Sequence, residues 1–359
     1  MVAVMCGTRV MWKLLVTVAV LSSGPLVLWA SGIISLWALK TTLCIFLVLF
    51  VIIPVVFKYT YPLQRSVIFL NFVNYPWNTD LKNPSKFGLN GIRNFYIKTE
   101  DNIEIGVWHI LPASLRNSSR EKNNSFYEDA LASDKPVVLY LHGNSGSRAS
   151  GHRVELYQLL SNLGYHVIAI DYRSYGDSTN VAPSEIGVVN DAMTAYKWTI
   201  QRSKGAPFFV WGHSLGTGVA SHMLDLLSRQ GIHANGLVLE APFTNLRDEL
   251  QLHPFANLFR HLPWFEYCIV DPIGYNQLLF ENDKHLKKVH CRILILHAED
   301  DRIIPFKLGK ALFNKLSLEH PTGVKLVQFD KKNGLGHKWI CRAPELPAVL
   351  KQFVKGEMK

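Results

Sequence analysis

Cysteine is scarce in this chain, which has five cysteines among 359 residues. Cys6 and Cys44 lie at or within a hydrophobic N-terminal region. The other three are far apart and form no Cys-x-x-Cys pair: Cys268, Cys291 and Cys341. Neither the disulfide framework of a small secreted domain nor a paired-cysteine zinc site is therefore indicated, and only a single bridge among the last three stays open.

The signatures of several binding classes are also missing. The chain has no Gly-x-Gly-x-x-Gly loop, no Walker A motif and no cluster with metal-ligand spacing, so we expect a chemistry without a cofactor. Helix-turn-helix, zinc-finger and RNA-binding signatures are missing as well. The net charge of +10 therefore favours an anionic lipid surface over nucleic acid as a partner, with an ordinary basic surface as the alternative.

Acidic residues are absent from the first 57 positions, which contain two long apolar runs. Residues 14–39 are uncharged but are interrupted by a Ser-Ser-Gly-Pro segment, and residues 41–57 form a denser run. A helix needs about 20 predominantly apolar residues to cross a bilayer. We predict at least one transmembrane helix within residues 1–58, best placed at 41–57. A signal peptide or a buried core helix explains this length less well.

The orientation of this anchor is predicted from charge and from glycosylation sequons. The basic residues of the N-terminal region favour a cytosolic N-terminus by the positive-inside rule. A polar insert at residues 113–135 contains Asn-x-Ser sequons at Asn117 and Asn123, which favour a lumenal or exterior location for this part of the chain. Together they favour a single span over two.

The remaining chain is predicted to be an α/β domain. A juxtamembrane strap at residues 59–93 mixes aromatic residues with prolines, and either lies at the membrane interface or packs on the domain. In residues 94–359, short apolar runs alternate with helical patterns, which is typical of a doubly wound, mostly parallel sheet with helices on both faces. The predicted strands are residues 94–99, 103–110, 137–141, 165–171, 208–211, 236–240, 292–297 and 324–329.

One segment breaks the alternation. About residues 242–291 contain no strand pattern but many aromatic side chains. An insertion of this length is either a cap over an active site or a surface excursion with its own small core. We favour the cap, because an enzyme that holds an acyl chain needs an apolar pocket.

A Gly-x-Ser-x-Gly motif follows the apolar run at residues 208–211 and precedes a helical pattern. This context predicts a nucleophile elbow with Ser214 at its apex. Gly212 and Gly216 suit the elbow, because its neighbouring segments pass too close for side chains.

A serine nucleophile needs a histidine base that a carboxylate orients. In hydrolases with a nucleophile elbow, the catalytic residues follow one another along the chain in the order serine, acid, histidine. Asp301 lies in an acidic loop after a predicted strand, with Asp300 as the alternative acid. His337 lies in a glycine-rich loop before the last helix. The order Ser214, Asp301, His337 satisfies the rule.

The oxyanion hole is predicted from the loop after the first buried strand. There, Gly143 lets the Asn144 main-chain amide point into the site, and the Leu215 amide supplies the second donor. We interpret His142 as a brace for this loop. The turn-rich loop at residues 171–178 is interpreted as structural, with Asp171 or Arg173 joining neighbouring loops.

Longer phrases resemble α/β-hydrolase domain proteins of the membrane-bound lysophosphatidylserine lipase and monoacylglycerol lipase type. The resemblance covers roughly residues 41–355. Its motifs are Trp-Gly-His-Ser-Leu-Gly-Thr-Gly-Val-Ala at 211–220, Tyr-Leu-His-Gly-Asn at 140–144, Gly-Val-Trp-His at 106–109, Leu-Glu-Ala-Pro-Phe-Thr-Asn at 239–245, Ile-Leu-His-Ala-Glu-Asp-Asp at 295–301, and the segments 68–73 and 342–347.

The resemblance implies the α/β-hydrolase fold and a single-span protein of the endoplasmic reticulum membrane with a lumenal catalytic domain. It also implies hydrolysis of lysophosphatidylserine and monoacylglycerols, and it carries the catalytic triad onto Ser214, Asp301 and His337. Residues 14–39 depart from the family pattern, where a longer polar tail is usual, and the loop before His337 is shorter.

We therefore expect a membrane-anchored serine ester hydrolase of lysophospholipids and monoacylglycerols, without nucleic-acid partners. A protein depalmitoylating thioesterase is the first alternative, and a non-catalytic membrane adaptor on the same fold is the second. Lys331, Lys332 and Lys338 flank the histidine loop and either attract an anionic headgroup or form an ordinary basic surface.

Overall fold

The computed structural model describes residues 2–74, 77, 79–119, 122–318, 320 and 323–358. The chain forms two compact units. The first comprises residues up to Val67 together with Leu250–Leu278, and the second comprises Ile68–Glu249 and Leu279–Lys359. The middle of the aromatic insertion therefore groups with the N-terminal helices, and only its two ends belong to the unit that contains the sheet.

The first unit is helical. Among the described residues, one helical stretch, Leu36–Tyr59, is long and apolar enough to cross a membrane, with mean hydropathy 2.6. It contains the predicted run at 41–57. The N-terminal elements are α1 (Val2–Ala30), α2 (Leu36–Leu47), a π-helical turn (Val48–Ile52), α3 (Ile53–Tyr59) and α4 (Tyr61–Phe69), the last of which continues into the second unit.

Aromatic side chains of the insertion pack within this first unit. Trp264 is buried at 1% exposure in a small apolar cluster. The rings of Phe50 and Phe259 lie 6.2 Å apart, and the Lys58 ammonium lies 3.0 Å from the centre of the Tyr267 ring. The insertion thus has a small core that includes a residue of the apolar helix.

The second unit contains one mixed sheet, which the described residues build from eight strands in the order β1-β2-β4-β3-β5-β6-β7-β8. The first two strands run antiparallel to their neighbours, and the others are parallel. The predicted doubly wound sheet is confirmed. The strands are β1 (Ile92–Lys98), β2 (Glu104–Ile110), β3 (Val137–Leu141), β4 (His166–Ile170), β5 (Phe208–His213), β6 (Gly236–Glu240), β7 (Arg292–Ala298) and β8 (Val324–Phe329).

The central strands β3 to β6 are buried along their whole length. Their continuous apolar sequences follow from burial of both faces beneath helices. The remaining α-helices are α5 (Asn124–Leu131), α6 (Gly151–Asn162), α7 (Glu185–Arg202), α8 (Leu215–Ser228), α9 (Leu246–Leu252), α10 (Asp271–Tyr275), α11 (Asn282–His285), α12 (Phe306–Ser317) and α13 (Leu346–Lys355).

The sheet order places the predicted catalytic loops together. The chain reverses its direction of winding between β3 and β5, and ligands of open α/β sheets bind at such a switch point, outside the carboxyl ends of the strands. Loops after β3, β5, β7 and β8 all leave this edge.

The structure also shows the burial of part of the strap, the exposure of both sequons and the state of the C-terminal cysteines. Phe69 and Leu81 are buried within the second unit, so this part of the strap packs on the domain. Asn117 and Asn123 are both exposed, and Asn123 caps α5. The three C-terminal cysteines are free thiols, so no bridge joins them.

Candidate active site

The elbow has the strained geometry that its sequence predicts. Ser214 joins β5 to α8 with φ of 53° and ψ of −119°, which is a sparsely populated conformation for a residue with a side chain. Its N–H donates to the Glu240 carbonyl at 2.9 Å, and its own carbonyl accepts from Thr217. The surrounding backbone therefore holds the strained residue in place.

The two elbow glycines are required by close backbone approaches. A Cβ atom at Gly212 would lie 2.5 Å from the carbonyl oxygen of Gly216. A Cβ atom at Gly216 would overlap the carbonyl oxygen of Leu141. Any larger residue at either position would push α8 away from the sheet, and Ser214 with it.

The structure brings the predicted acid and base together. The Nδ1 atom of His337 lies 2.7 Å from Oδ2 of Asp301. Oδ1 of Asp301 accepts the N–H groups of Ile303 and Ile304 at 2.8 and 2.9 Å. With both carboxylate oxygens engaged, Asp301 fixes the orientation of the His337 ring.

Asp301 stays ionised although its side chain is buried. Burial alone would raise the pKa of this carboxyl, but hydrogen bonds with His297 and His337 outweigh that effect and hold the pKa below its ordinary value. The carboxylate is therefore available to stabilise a positive charge on His337 at neutral pH.

Asp300, the alternative acid, binds the main chain of the histidine loop. Its Oδ2 accepts the N–H of Gly336 at 3.0 Å. From the elbow side, Nε2 of His213 lies 2.9 Å from the His337 carbonyl oxygen, and the two rings are 4.9 Å apart. The histidine loop is thus held both by the acidic loop and by the residue before Ser214.

The predicted oxyanion loop lies directly against the elbow. A Cβ atom at Gly143 would lie 3.0 Å from the Ser214 Cβ atom. Within the described part of the chain, the N–H groups of Asn144 and Leu215 have no main-chain or side-chain acceptor. Two unpaired donors beside a serine are the arrangement that an oxyanion hole needs.

His142 supports this loop from beneath. It is fully buried, its Nδ1 lies 2.6 Å from the Gly143 carbonyl oxygen, and its ring packs against Tyr172 and Tyr175. Burial and the charge of nearby Arg153 hold the pKa of His142 well below its ordinary value. A neutral, enclosed imidazole of this kind positions the loop.

Main-chain bonds from the strap complete the support. The Phe69 carbonyl accepts the N–H of Ser145 at 3.2 Å, and the Val73 carbonyl accepts the N–H of Gly146 at 2.7 Å. Residues of the strap therefore determine the path of the loop that carries Asn144.

Arg153 on α6 binds the same loop from its other side. Its guanidinium donates to the Ser147 carbonyl at 2.7 Å and to the Ser145 carbonyl at 2.9 Å, and the side chain is 2% exposed. Sequence analysis did not identify this residue, because an arginine inside a helical pattern has no local signal for its partners.

The loop at residues 171–178 has the structural contacts expected of it. The Asp171 carboxylate pairs with Arg148, which is buried and also binds Asp177 at 2.8 Å. Arg173 pairs with Asp191 at 2.7 Å. The pairs of Arg148 join the loops after β3 and β4, and the pair of Arg173 joins the loop after β4 to α7.

Glu240 is a buried carboxyl next to the elbow that sequence analysis did not single out. Its Oε2 accepts the indole N–H of Trp211 at 2.8 Å. Burial raises the pKa of Glu240 to about 7, although the Trp211 hydrogen bond acts in the opposite direction. The only sequence signal is an acid at the end of an apolar strand.

Comparisons with known proteins show the family of this chain. A family model described as "Serine aminopeptidase, S33" matches residues 132–267. The chain is 44% identical over 323 residues to a lysophosphatidylserine lipase ABHD12 of Gallus gallus and 42% identical to that of Danio rerio, in each case over 89% of this chain and 84% of the relative.

Solved structures agree on the fold. An alpha-beta hydrolase from Vibrio vulnificus has a TM-score of 0.59 at 17% identity, covering 85% of this chain and 93% of that one. By its sequence similarity over most of both chains, this protein belongs to the ABHD12 family of α/β serine hydrolases.

Proposed function

We propose that the protein is a membrane-anchored serine hydrolase that cleaves the acyl ester of lysophosphatidylserine and of monoacylglycerols. The observation that carries the proposal is the 2.7 Å contact between His337 and Asp301 beside the strained elbow of Ser214. The names of the relatives supply lysophosphatidylserine as the substrate, and the resemblance described above supplies the monoacylglycerols.

In the proposed mechanism, the Ser214 hydroxyl attacks the ester carbonyl and His337 takes its proton. The N–H groups of Asn144 and Leu215 stabilise the oxyanion that forms. His337 then protonates the leaving glycerol oxygen, and Asp301 stabilises the imidazolium. Water, activated by the same histidine, hydrolyses the acyl-enzyme and releases a fatty acid.

We propose that the aromatic insertion at residues 242–291 acts as a cap that receives the acyl chain. Its segment 250–278 belongs to the same unit as the apolar helix Leu36–Tyr59, and the contact between Phe259 and Phe50 joins them. This arrangement suits a lipid substrate that arrives from the bilayer. This role of the cap is tested by comparing the hydrolysis rates of esters that differ only in the length of the acyl chain.

The proposed location is the endoplasmic reticulum membrane, with one span and a lumenal catalytic domain. The exposed sequons at Asn117 and Asn123 support this orientation. We expect a glycosidase-sensitive mass shift that is lost in the Asn117→Gln/Asn123→Gln variant. Cleavage at both sites by a protease added on the cytosolic side would contradict the proposed orientation.

The central experiment compares the full-length protein in detergent with its Ser214→Ala variant. We expect a fluorophosphonate probe to label the wild type alone, and the wild type alone to release fatty acid from lysophosphatidylserine and monoacylglycerol. Absence of labelling in folded wild type would indicate an adaptor. Release of palmitate from a thioester peptide but not from either glycerol ester would indicate a depalmitoylase.

We further propose that Lys331, Lys332 and Lys338 attract the anionic headgroup. All three are exposed and flank the His337 loop. Replacing them with Gln should lower the rate on lysophosphatidylserine relative to monoacylglycerol. Replacing Lys307, Lys310 and Lys351 on α12 and α13 changes the net charge equally and serves as the control. An unchanged ratio would contradict the proposal.

A further inference from the structure

The middle of the aromatic insertion contains a segment, residues 254–265, that we call the insertion tip. It leaves a large apolar side chain uncovered, because Phe255 is 83% exposed. Residues 250–265 contain no aspartate or glutamate, and their only permanent charge is that of Arg260, which is also exposed. Apolar side chains combined with basic ones are typical of segments that lie in a membrane interface. The composition and exposure of the tip therefore fit a lipid surface.

Two contacts within the first unit define where the insertion lies along the apolar helix Leu36–Tyr59. The ring of Tyr267 lies against the ammonium of Lys58, at the end of this helix, with 3.0 Å between them. The ring of Phe259 lies 6.2 Å from that of Phe50, which is nine residues before the helix end. From Tyr267 back to Phe259, the insertion thus follows the last turns of the helix towards its middle.

The position of Phe50 sets the depth of the tip. A 24-residue helix is about 36 Å long, and the hydrocarbon core of a bilayer is about 30 Å thick. When the helix spans the bilayer, each end therefore projects by about 3 Å, and Phe50 lies about 10 Å inside the hydrocarbon. The protein itself buries only 11% of the most apolar part of this helix, so lipid is left to cover the rest. The ring of Phe259 is in contact with Phe50 and lies in the same layer.

We infer that the insertion tip penetrates the leaflet that surrounds the end of the apolar helix and forms a second contact with the phospholipid bilayer. The inference rests on the proposed membrane span of Leu36–Tyr59. Phe255 and Phe259 lie among the acyl chains. Arg260 extends its guanidinium back towards the lipid phosphates, as long basic side chains do near a membrane boundary.

The main chain of the tip is suited to this environment. Irregular backbone is costly in hydrocarbon unless its polar groups are paired. Pro254 and Pro263 have no N–H group. Several other N–H groups of the tip donate to carbonyl oxygens in or next to it, at 2.7 to 3.0 Å: those of Ala256, Phe259, Arg260, Leu262 and Phe265. Local hydrogen bonds therefore reduce the cost of moving the tip from water into lipid.

The test places a nitroxide label at Phe255→Cys in the full-length protein, reconstituted in phosphatidylcholine nanodiscs. The background is Cys6→Ser/Cys44→Ser, in which the remaining native cysteines are buried. Power saturation compares accessibility to oxygen, which concentrates in hydrocarbon, with accessibility to a water-soluble nickel complex. Leu318→Cys is the matched control, because Leu318 is an apolar residue of the second unit that is 90% exposed. Leu49→Cys, on the apolar helix, reports the span.

We expect the oxygen-to-nickel ratio at residue 255 to exceed that at residue 318 about tenfold and to approach that at residue 49, because the tip lies in the hydrocarbon layer. A water-accessible label at 255 together with a lipid-exposed label at 49 would overturn the inference and leave the anchor intact. Water-accessible labels at both positions would overturn the span and the inference together.

Thermal unfolding confirms that each labelled variant is folded. Asn257→Cys provides a second exposed position in the tip and is subject to the same criteria if Phe255→Cys does not fold. The readout does not involve hydrolysis, so failure of the proposed lipase activity would be recognised separately, by the comparison with Ser214→Ala.

Discussion

The loop that carries His337 is held largely by acidic side chains, whereas the loop at residues 142–146 is held mainly through main-chain atoms. Asp301 and Asp300 bind the imidazole and the backbone of the histidine loop. The oxyanion loop receives its bonds from strap carbonyls and from Arg153. Side-chain support of the first kind is visible as a sequence motif, and main-chain support of the second kind is not.

Asp301→Asn should have the largest effect on the histidine loop. The amide keeps the shape but no longer stabilises the imidazolium, so we expect kcat to fall about 10⁴-fold. Initial rates on a soluble ester, with thermal unfolding to confirm the fold, measure the loss. A loss below tenfold would show that Asp301 is not the catalytic acid and would favour Asp300 in that role.

Arg153→Lys tests the main-chain support of the oxyanion loop. Lysine cannot bridge the Ser145 and Ser147 carbonyls, so we expect the Asn144 amide to move and kcat to fall about 10- to 100-fold. Arg173→Lys is the control, because Arg173 is also buried but its guanidinium pairs with Asp191 and not with the carbonyls of this loop. Equal losses of kcat in both variants would show a general stability effect.

Asp300→Ala should have a smaller effect. Gly336 would lose its acceptor, and one such hydrogen bond contributes about 1 kcal/mol, which corresponds to roughly a fivefold loss of kcat. Asp300→Asn keeps an oxygen acceptor and should retain near wild-type rates. If the Asn variant were as impaired as the Ala variant, the charge of Asp300 and not its hydrogen bond would matter.

Glu240 is buried at the end of β6, and we expect its carboxyl to affect stability but not the rate at neutral pH. Its pKa is raised from 4.5 to about 7, so the folded state binds more protons than the unfolded state between these values. The free energy of unfolding should therefore fall as pH rises through this window, by up to about 3 kcal/mol.

Denaturant titrations from pH 4.5 to pH 8 measure this slope. The Glu240→Gln variant lacks this carboxyl, so its free energy of unfolding should decline less between pH 4.5 and pH 7 than that of the wild type. An identical slope in both proteins would mean that Glu240 stays charged in the folded state.

Most of the sheet was predictable, because fully buried parallel strands leave short, continuous apolar runs such as residues 137–141 and 236–240. The contacting pair Asp301 and His337 was predictable from chain order and loop position. The grouping of residues 250–278 with the N-terminal helices was not, because aromatic composition does not indicate which apolar surface an insertion contacts.

The sequence by itself determined the order of strands and helices, the elbow at Ser214 and the apolar helix near the N-terminus. These features depend on local periodicity, on turn chemistry and on runs of apolar residues. The tertiary structure decided which groups hold the catalytic loops: Arg153, the strap carbonyls, and Asp300 as a main-chain acceptor. These contacts join residues far apart in the chain, and only the packing of helices on the sheet brings them together.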